Sequence, residues 1–271
     1  MKLAYSYHLV SNSPWPLTVA ISILSLILGN ILNFQNQILV EYEGYKIGGN
    51  ELIIVSILCL IYSSYYWLKD IVIEGTYMGE HTEKVQKGLN LGFVLFVVSE
   101  VCVFFGLFFA YFYNALVPAI EVGSIWPPVG IITLDYKAVP LLNTLILLSS
   151  GFSITACHNY ILNRDYSRSF FYLLVTISLG LIFIYFQYVE YFSSFFTISD
   201  SVFGSSFFLL TGCHGLHIII GTTFLIFTLL RLGLSHFTNF HHVQFSAAAI
   251  YWHFLDAVWL VLYFVLYCWA A

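Results

Sequence analysis

The sequence predicts an all-α membrane protein with seven transmembrane helices. Of its 271 residues, 60% are hydrophobic and only 8% are charged, whereas soluble domains carry about 25% charged residues. Seven apolar segments approach the ~20 residues that a helix needs to cross a bilayer. No polar block between them is large enough to form a separate soluble domain, so residues 1–271 are expected to form a single polytopic unit.

The first segment is Trp15–Phe34. The fourteen residues before it lack a basic stretch, an apolar core and a cleavage site, so the first span itself is expected to direct insertion. Arg is absent before Arg164, which argues against an Arg-rich transit peptide. Glu51–Leu68 and Leu89–Tyr113 form the second and third segments. Val139–Leu162 and Phe170–Phe192 follow, separated by Asn163–Ser169, whose Arg164, Asp165 and Arg168 read as a tight polar turn. Val202–Leu230 and Phe245–Trp269 complete the set. Alternate loops differ in Lys and Arg content. Lys2, Lys69, Lys84, Lys87, Arg164, Arg168 and Arg231 fall on the N-terminal side, against Lys46 and Lys137 opposite. The N-terminus is therefore expected on the cytoplasmic or mitochondrial-matrix side.

Polar residues inside the spans carry the information about function. Glu100 lies within Gly88–Tyr113, and its helical neighbours Phe96, Val97, Val103 and Phe104 cannot hydrogen-bond a carboxylate. Its own helix offers only adjacent Ser99. An ionisable group at that depth is costly and marks a functional site, and without a partner it is expected to keep its proton at neutral pH. The sixth span holds His214 and His217 on one helix face, with Gly212, Gly215 and Gly221 available for close helix approach. The seventh holds His253 and Asp256, again three apart. His158 ends the fourth span, and Glu190 lies late in the fifth.

Several chemistries fail on these residues. Every lysine is terminal or in an expected loop, so a retinal Schiff base has no mid-membrane amine. No Glu has a His three residues on, as a helical di-iron site would show. The cysteines (Cys59, Cys102, Cys157, Cys213, Cys268) are too widely spaced for a CxxC motif and read as small buried apolar groups. His214, His217, His253 and Asp256 are expected to bond between helices. His81, Lys84, Lys87, Arg231 and His236 sit at expected helix ends on one membrane face. Interfacial snorkelling and anionic lipid binding both fit them.

A family resemblance rests on ordered motifs along nearly the whole chain. They are Tyr7-His8-Leu9-Val10, Ser13-Pro14-Trp15-Pro16, Gly79-Glu80-His81-Thr82, Leu95–Val101 around Glu100, Trp126-Pro127-Pro128, and Pro140–Thr144. Further on come Phe196–Ser201, Thr211-Gly212-x-His214-Gly215-x-His217, His241-His242, and Tyr251-Trp252-His253-Phe254-x-Asp256-x-Val258-Trp259. Together they resemble the subunit III family of haem–copper cytochrome c oxidases. The resemblance implies two helices splayed from a five-helix bundle, with phospholipids in a V-shaped cleft between them. It implies no redox cofactor in this chain: haem and copper belong to the neighbouring subunits, with redox chemistry in subunit I and electrons entering through subunit II. Subunits I and II, accessory subunits and structural phospholipids are the implied partners, with no nucleic acid. Glu100 matches the family's membrane glutamate near the proton-entry side, and Glu74, His81, Arg231 and His236 match positions lining the lipid cleft. Lys69 stands where the family usually has Arg, keeping the charge without the bidentate fork. Ile73, Asn159, Ser246, Ile250, Phe109 and Tyr113 also depart from the usual residues. The implied setting is the mitochondrial inner membrane with a matrix N-terminus, and the implied role is support of subunit I and of proton uptake.

Two other classes remain open at this point. One is a stand-alone proton-coupled carrier using Glu100, although the paired repeats of carriers are not evident. The other is a haem-binding electron carrier using His214 and His253.

Overall fold

The computed structural model describes residues 12–35, 38–42, 45–120 and 123–270. Its helices are α1 (Trp15–Phe34), α2 (Gly49–Thr76), α3 (Glu83–Leu116), α4 (Val139–Leu162), α5 (Tyr166–Ser193), α6 (Ser201–Gly233) and α7 (Val243–Leu262). α7 continues as a π-helical segment, Tyr263–Cys268. All seven are long and apolar enough to cross a membrane. Two short antiparallel strands, β1 (Ile38–Tyr42) and β2 (Tyr45–Gly48), lie between α1 and α2, with Glu41 registered opposite Lys46. This hairpin is absent from the all-helical expectation.

The apolar segments and the helices differ at their ends for one reason. Hydropathy marks what tolerates hydrocarbon, whereas helical hydrogen bonding continues into the interface. α2 thus runs beyond Leu68 to include Lys69, Asp70 and Glu74, and α3 starts at Glu83 with Lys84 and Lys87 already helical. Those lysines occupy helix ends and not loops. The turn between α4 and α5 is shorter than expected. Asp165 accepts a hydrogen bond from the Arg168 backbone N–H at 3.2 Å and caps a helix that begins at Tyr166.

The chain divides into two compact units, one up to Lys87 and one from Gly88 onward. In the first, the buried residues of α1 are Ser22 and Gly29, and those of α2 are Gly49, Ser56 and Ser63. Small residues thus recur every seven positions on both helices. That is the seam lipid-embedded helices use, because packing must come from close backbone approach when the solvent is itself apolar. Ser22 and Ser56 return their hydroxyls to Thr18 O and Leu52 O, so neither leaves an unsatisfied donor in the seam.

The second unit packs differently. α4 buries Asn143, Leu147, Ser150, Ile154, Cys157 and Ile161, a stripe at helical spacing. Two α7 tryptophans dock on it. The Trp252 indole N–H donates to Ser150 Oγ at 2.9 Å, and that of Trp259 to Thr144 Oγ1 at 3.0 Å. As the contact steps back along α4 it steps forward along α7, so the two helices are antiparallel. The Trp252 ring needs room from its neighbours. A Cβ on Gly180 would lie 2.7 Å from its Cη2, and one on Gly221 3.3 Å from its Cε3. Gly215, by contrast, faces open space. Of the five cysteines, only Cys157 is fully buried, and Cys59 and Cys102 face outward.

This contrast yields an expected outcome. Gly215→Ala should hold or raise the thermal midpoint of the detergent-solubilised protein, since Ala favours helix by up to ~1 kcal/mol over Gly. Gly180→Ala should lower the midpoint by displacing Trp252, and the comparison fails if the two variants melt alike.

Candidate functional site

Glu100 stands midway along α3 and His217 midway along α6. The structure brings them together across the helices: His217 Nε2 lies 2.8 Å from Glu100 Oε2. The other ring nitrogen, Nδ1, lies 2.6 Å from the carbonyl oxygen of Cys213. A carbonyl only accepts, so Nδ1 carries a hydrogen. One proton then occupies the Nε2–Oε2 line. The two side chains thus form a hydrogen-bonded carboxyl–imidazole pair across α3 and α6. Ser99, the neighbour on the same helix, is occupied elsewhere, donating to Phe96 O at 2.6 Å. The lone protonated acid expected from α3 alone is thus replaced by a carboxyl–imidazole pair.

The surroundings hold the pair in an apolar frame. Phe104 packs on the His217 ring at 5.2 Å, and Phe96 stacks on Tyr251 of α7 at 6.4 Å. The Glu100 and His217 side chains remain 20% and 15% exposed, so the pair lies at the edge of the bundle with one side open.

The remaining expected residues fall into separate places. His214, one turn from His217, points inward and is fully buried, with its ring stacked on Trp259 at 5.4 Å. Neither of its nitrogens has a hydrogen-bond partner. His253 reaches α4, with Nε2 3.3 Å from Thr155 Oγ1. Asp256 is buried against α4, where a Cβ on Gly151 would meet its Oδ2 at 2.6 Å. His253 Nδ1 lies 3.8 Å from that same oxygen, beyond hydrogen-bond reach. His158 faces His242 with their Nε2 atoms 3.4 Å apart.

Lys69, Glu74 and His81 belong to the first unit. The Lys69 ammonium lies 5.6 Å from the Tyr66 ring centre, and that ring stacks on Trp15. His81 folds back over Gly75, where a Cβ would come within 2.6 Å of Nδ1. Arg231 and His236 belong to the second unit. Arg231 donates to Gln244 Oε1 and lies over the Phe237 ring at 4.9 Å. Burial and then the neighbouring Arg231 charge hold the His236 imidazole below the usual histidine range. It is therefore neutral at pH 7, and Arg231 is the cation of this pair.

Sequence reasoning missed three contacts. Asp70 accepts from the Trp15 indole N–H at 2.6 Å, clamping the start of α1 to the end of α2. Glu190 accepts from the Tyr267 hydroxyl at 2.5 Å inside the bundle, and Tyr191 beside it donates to Thr211 Oγ1 at 2.7 Å. A carboxyl and an amide one turn apart in an apolar span, Gln187 and Glu190, were the available signal. Among the described residues, no three His, Cys, Asp or Glu side chains come together as metal ligands do.

A seven-helix membrane protein with an acid–imidazole pair in mid-span is the class these features define. Comparison with known proteins narrows it. The family described as "Cytochrome c oxidase subunit III" matches residues 5–271. Proteins named cytochrome c oxidase subunit 3 are similar along nearly all of both chains. The one from Tachyglossus aculeatus aculeatus is 49% identical over 267 residues, covering 98% of each chain. That from Rattus norvegicus is 47% identical over 267 residues, also 98% of each. That from Arabidopsis thaliana is 46% identical over 268 residues, 98% of this chain and 97% of its own. The chain belongs to the cytochrome c oxidase subunit III family.

The pair's geometry ranks substitutions at position 100. Glu100→Gln keeps an N–H to donate to neutral His217, whereas Glu100→Leu leaves Nε2 without a partner at a cost of ~1–3 kcal/mol. Thermal unfolding in detergent should order the midpoints wild type, Gln, Leu. A Leu variant as stable as the Gln variant would contradict the pairing.

Proposed function

We propose that this chain is the non-redox core subunit III of a proton-pumping cytochrome c oxidase in the mitochondrial inner membrane, with its N-terminus on the matrix side. It flanks the haem- and copper-bearing subunit I beside subunit II, and it stabilises subunit I during oxygen reduction. Membership of the family supports the assignment to the complex. The observation that carries the finer reading is the Glu100–His217 pair, an acid and an imidazole bonded across two helices with one side open at the bundle edge. A carboxyl hydrogen-bonded to an imidazole and reachable from one side suits a group that supports proton uptake by the neighbouring subunit.

Phospholipid binding is the second part of the proposal. Lys69, Glu74 and His81 of the first unit are assigned to phospholipid headgroups, and so are Arg231 and His236 of the second. Within the first unit, a groove of about 560 Å³ lined by Trp15, Ile21, Leu58 and Tyr62 has the apolar lining an acyl chain requires. The Trp15–Tyr66–Lys69 stack beside it puts a cation at one helix end.

Two measurements test these parts separately. A hydrophobic carbodiimide should label Glu100 in the intact complex at neutral pH, and Glu100→Gln should abolish the label; no labelling of wild type would count against an accessible, exchangeable carboxyl. For lipid, His81→Ala combined with Arg231→Ala should lower the phospholipid that copurifies with the complex. His236→Ala alone should do so less at pH 7.5, because His236 is neutral there. Unchanged lipid content by mass spectrometry in the double variant would remove the headgroup assignment.

A further inference from the structure

The interior of the second unit contains polar side chains that the Glu100–His217 pair does not use. Asn143, Gln187, Glu190 and His214 come from α4, α5 and α6, and all are buried, with relative exposures of 0%, 6%, 2% and 1%. Both side-chain polar atoms of Asn143 and of Gln187, both ring nitrogens of His214 and Oε2 of Glu190 lack a hydrogen-bond partner within the protein.

Helix register places them at one level. Ser153 and Thr176 bond at 2.7 Å across the antiparallel α4–α5 pair. Counting ten residues from each toward the far end brings Asn143 level with Phe186 and Gln187. Tyr191 and Thr211 bond across the α5–α6 pair, and counting four residues from each brings Gln187 level with His214 and Gly215. Trp259 links the group from α7. It bonds Thr144 next to Asn143, stacks on His214, and lies 6.1 Å from the Tyr267 ring. Tyr267 in turn donates to Glu190, leaving the second carboxyl oxygen open. The segment carrying Tyr267 is π-helical, a departure from α-geometry often found at functional positions.

Gln187 supplies the most telling geometry. It lies within hydrogen-bonding range of Glu190, Tyr191 and Tyr267, although neither amide atom completes a bond of good geometry. Polar groups that face one another without closing such a bond are the usual seat of a bridging water. Buried waters typically make about three hydrogen bonds to otherwise unsatisfied groups. An apolar filling does not account for donors and acceptors left open on three helices at one level, and the direct contacts of Gln187 leave Asn143 and His214 without partners.

We infer that the five-helix unit encloses a hydrated polar site in which two or more ordered water molecules bridge Asn143, Gln187, Glu190 and His214. The site lies on the inner face of α6, one helical turn from the outward-facing His217, and makes Glu190 a second, internally hydrated acid in the same chain. It does not depend on the role assigned to Glu100.

The test is a cryo-electron-microscopy map of the assembled oxidase containing this chain, at a resolution where buried waters are visible in its other subunits. Ordered density is expected within hydrogen-bond distance of His214 and of Gln187 or Asn143. Direct side-chain bonds among these residues with no density between them would overturn the proposal. Gln187→Met, which keeps the volume and removes the amide, should lose the density next to Glu190; density unchanged in that variant would exclude Gln187 from the site. Where the variant does not assemble, the wild-type map decides alone.

Discussion

Every polar group inside the hydrocarbon layer must find its partner in the protein or in water the protein encloses, because lipid offers none. The second unit meets this constraint in graded steps. Most hydroxyls on the spans return to their own backbone, as Thr176 does to Tyr172 O and Thr228 to Phe224 O. Others then serve a second helix: Ser150 bonds Leu147 O and also receives the Trp252 indole N–H. Thr144 does the same with Pro140 O and Trp259. A hydroxyl already satisfied locally can still accept, so one Ser or Thr quiets its own helix and fixes a tryptophan on the next. Each such bond contributes only ~0.6–2 kcal/mol in a membrane. Their repeated use along α4 and α7 gives register as well as stability.

The Glu100–His217 pair is the same solution applied to groups that ionise. Separately, each would be expensive in mid-membrane as a charge. Together, with Nδ1 of His217 committed to Cys213 O, each supplies the other's hydrogen-bond partner across α3 and α6. Replacing a buried pair with apolar residues is often tolerated, but removing one partner is strongly destabilising. The pair also differs from a purely structural bond in its position: both side chains keep some exposure at the bundle edge, whereas Glu190 and His214 are enclosed. The chain thus keeps one acid at its rim and one in its interior.

How much of this was legible in the sequence follows from the range of each interaction. Spans are set by local composition, and α1 and α4 coincide with the apolar segments residue for residue. Helix ends depend on capping and on interfacial solvation, so α2 and α3 extend past their hydrophobic cores. The face of His214 and His217 was readable from their spacing, but their divergence was not. Three residues on a helix subtend enough angle that one ring turns outward to Glu100 and the other inward to Trp259. Glu100 and His217 are 117 positions apart, and Trp15 and Asp70 are 55 apart. No periodicity connects such pairs, and only the packed helices bring them into contact.

The two units also solve the packing problem by different chemistry, which decides where each is vulnerable. In α1 and α2 the large apolar side chains, such as Ile21, Leu24, Leu58 and Ile61, point outward, while Ser22, Gly29, Gly49, Ser56 and Ser63 meet inside. Among the described residues of α1 and α2, no large apolar side chain is fully buried. Close backbone approach, the Trp15–Tyr66 ring stack and the Trp15–Asp70 bond join the two helices, and enlarging a seam residue separates them along their length. In the five-helix unit the interior is aromatic, with Trp252, Trp259, Phe183, Phe203, Phe207 and Tyr267 fully buried. There a small change is absorbed by neighbouring rings unless it falls where a ring presses on a glycine or a polar atom has only one partner. The seam of the first unit is therefore intolerant of added volume, while the bundle of the second is intolerant of lost hydrogen bonds.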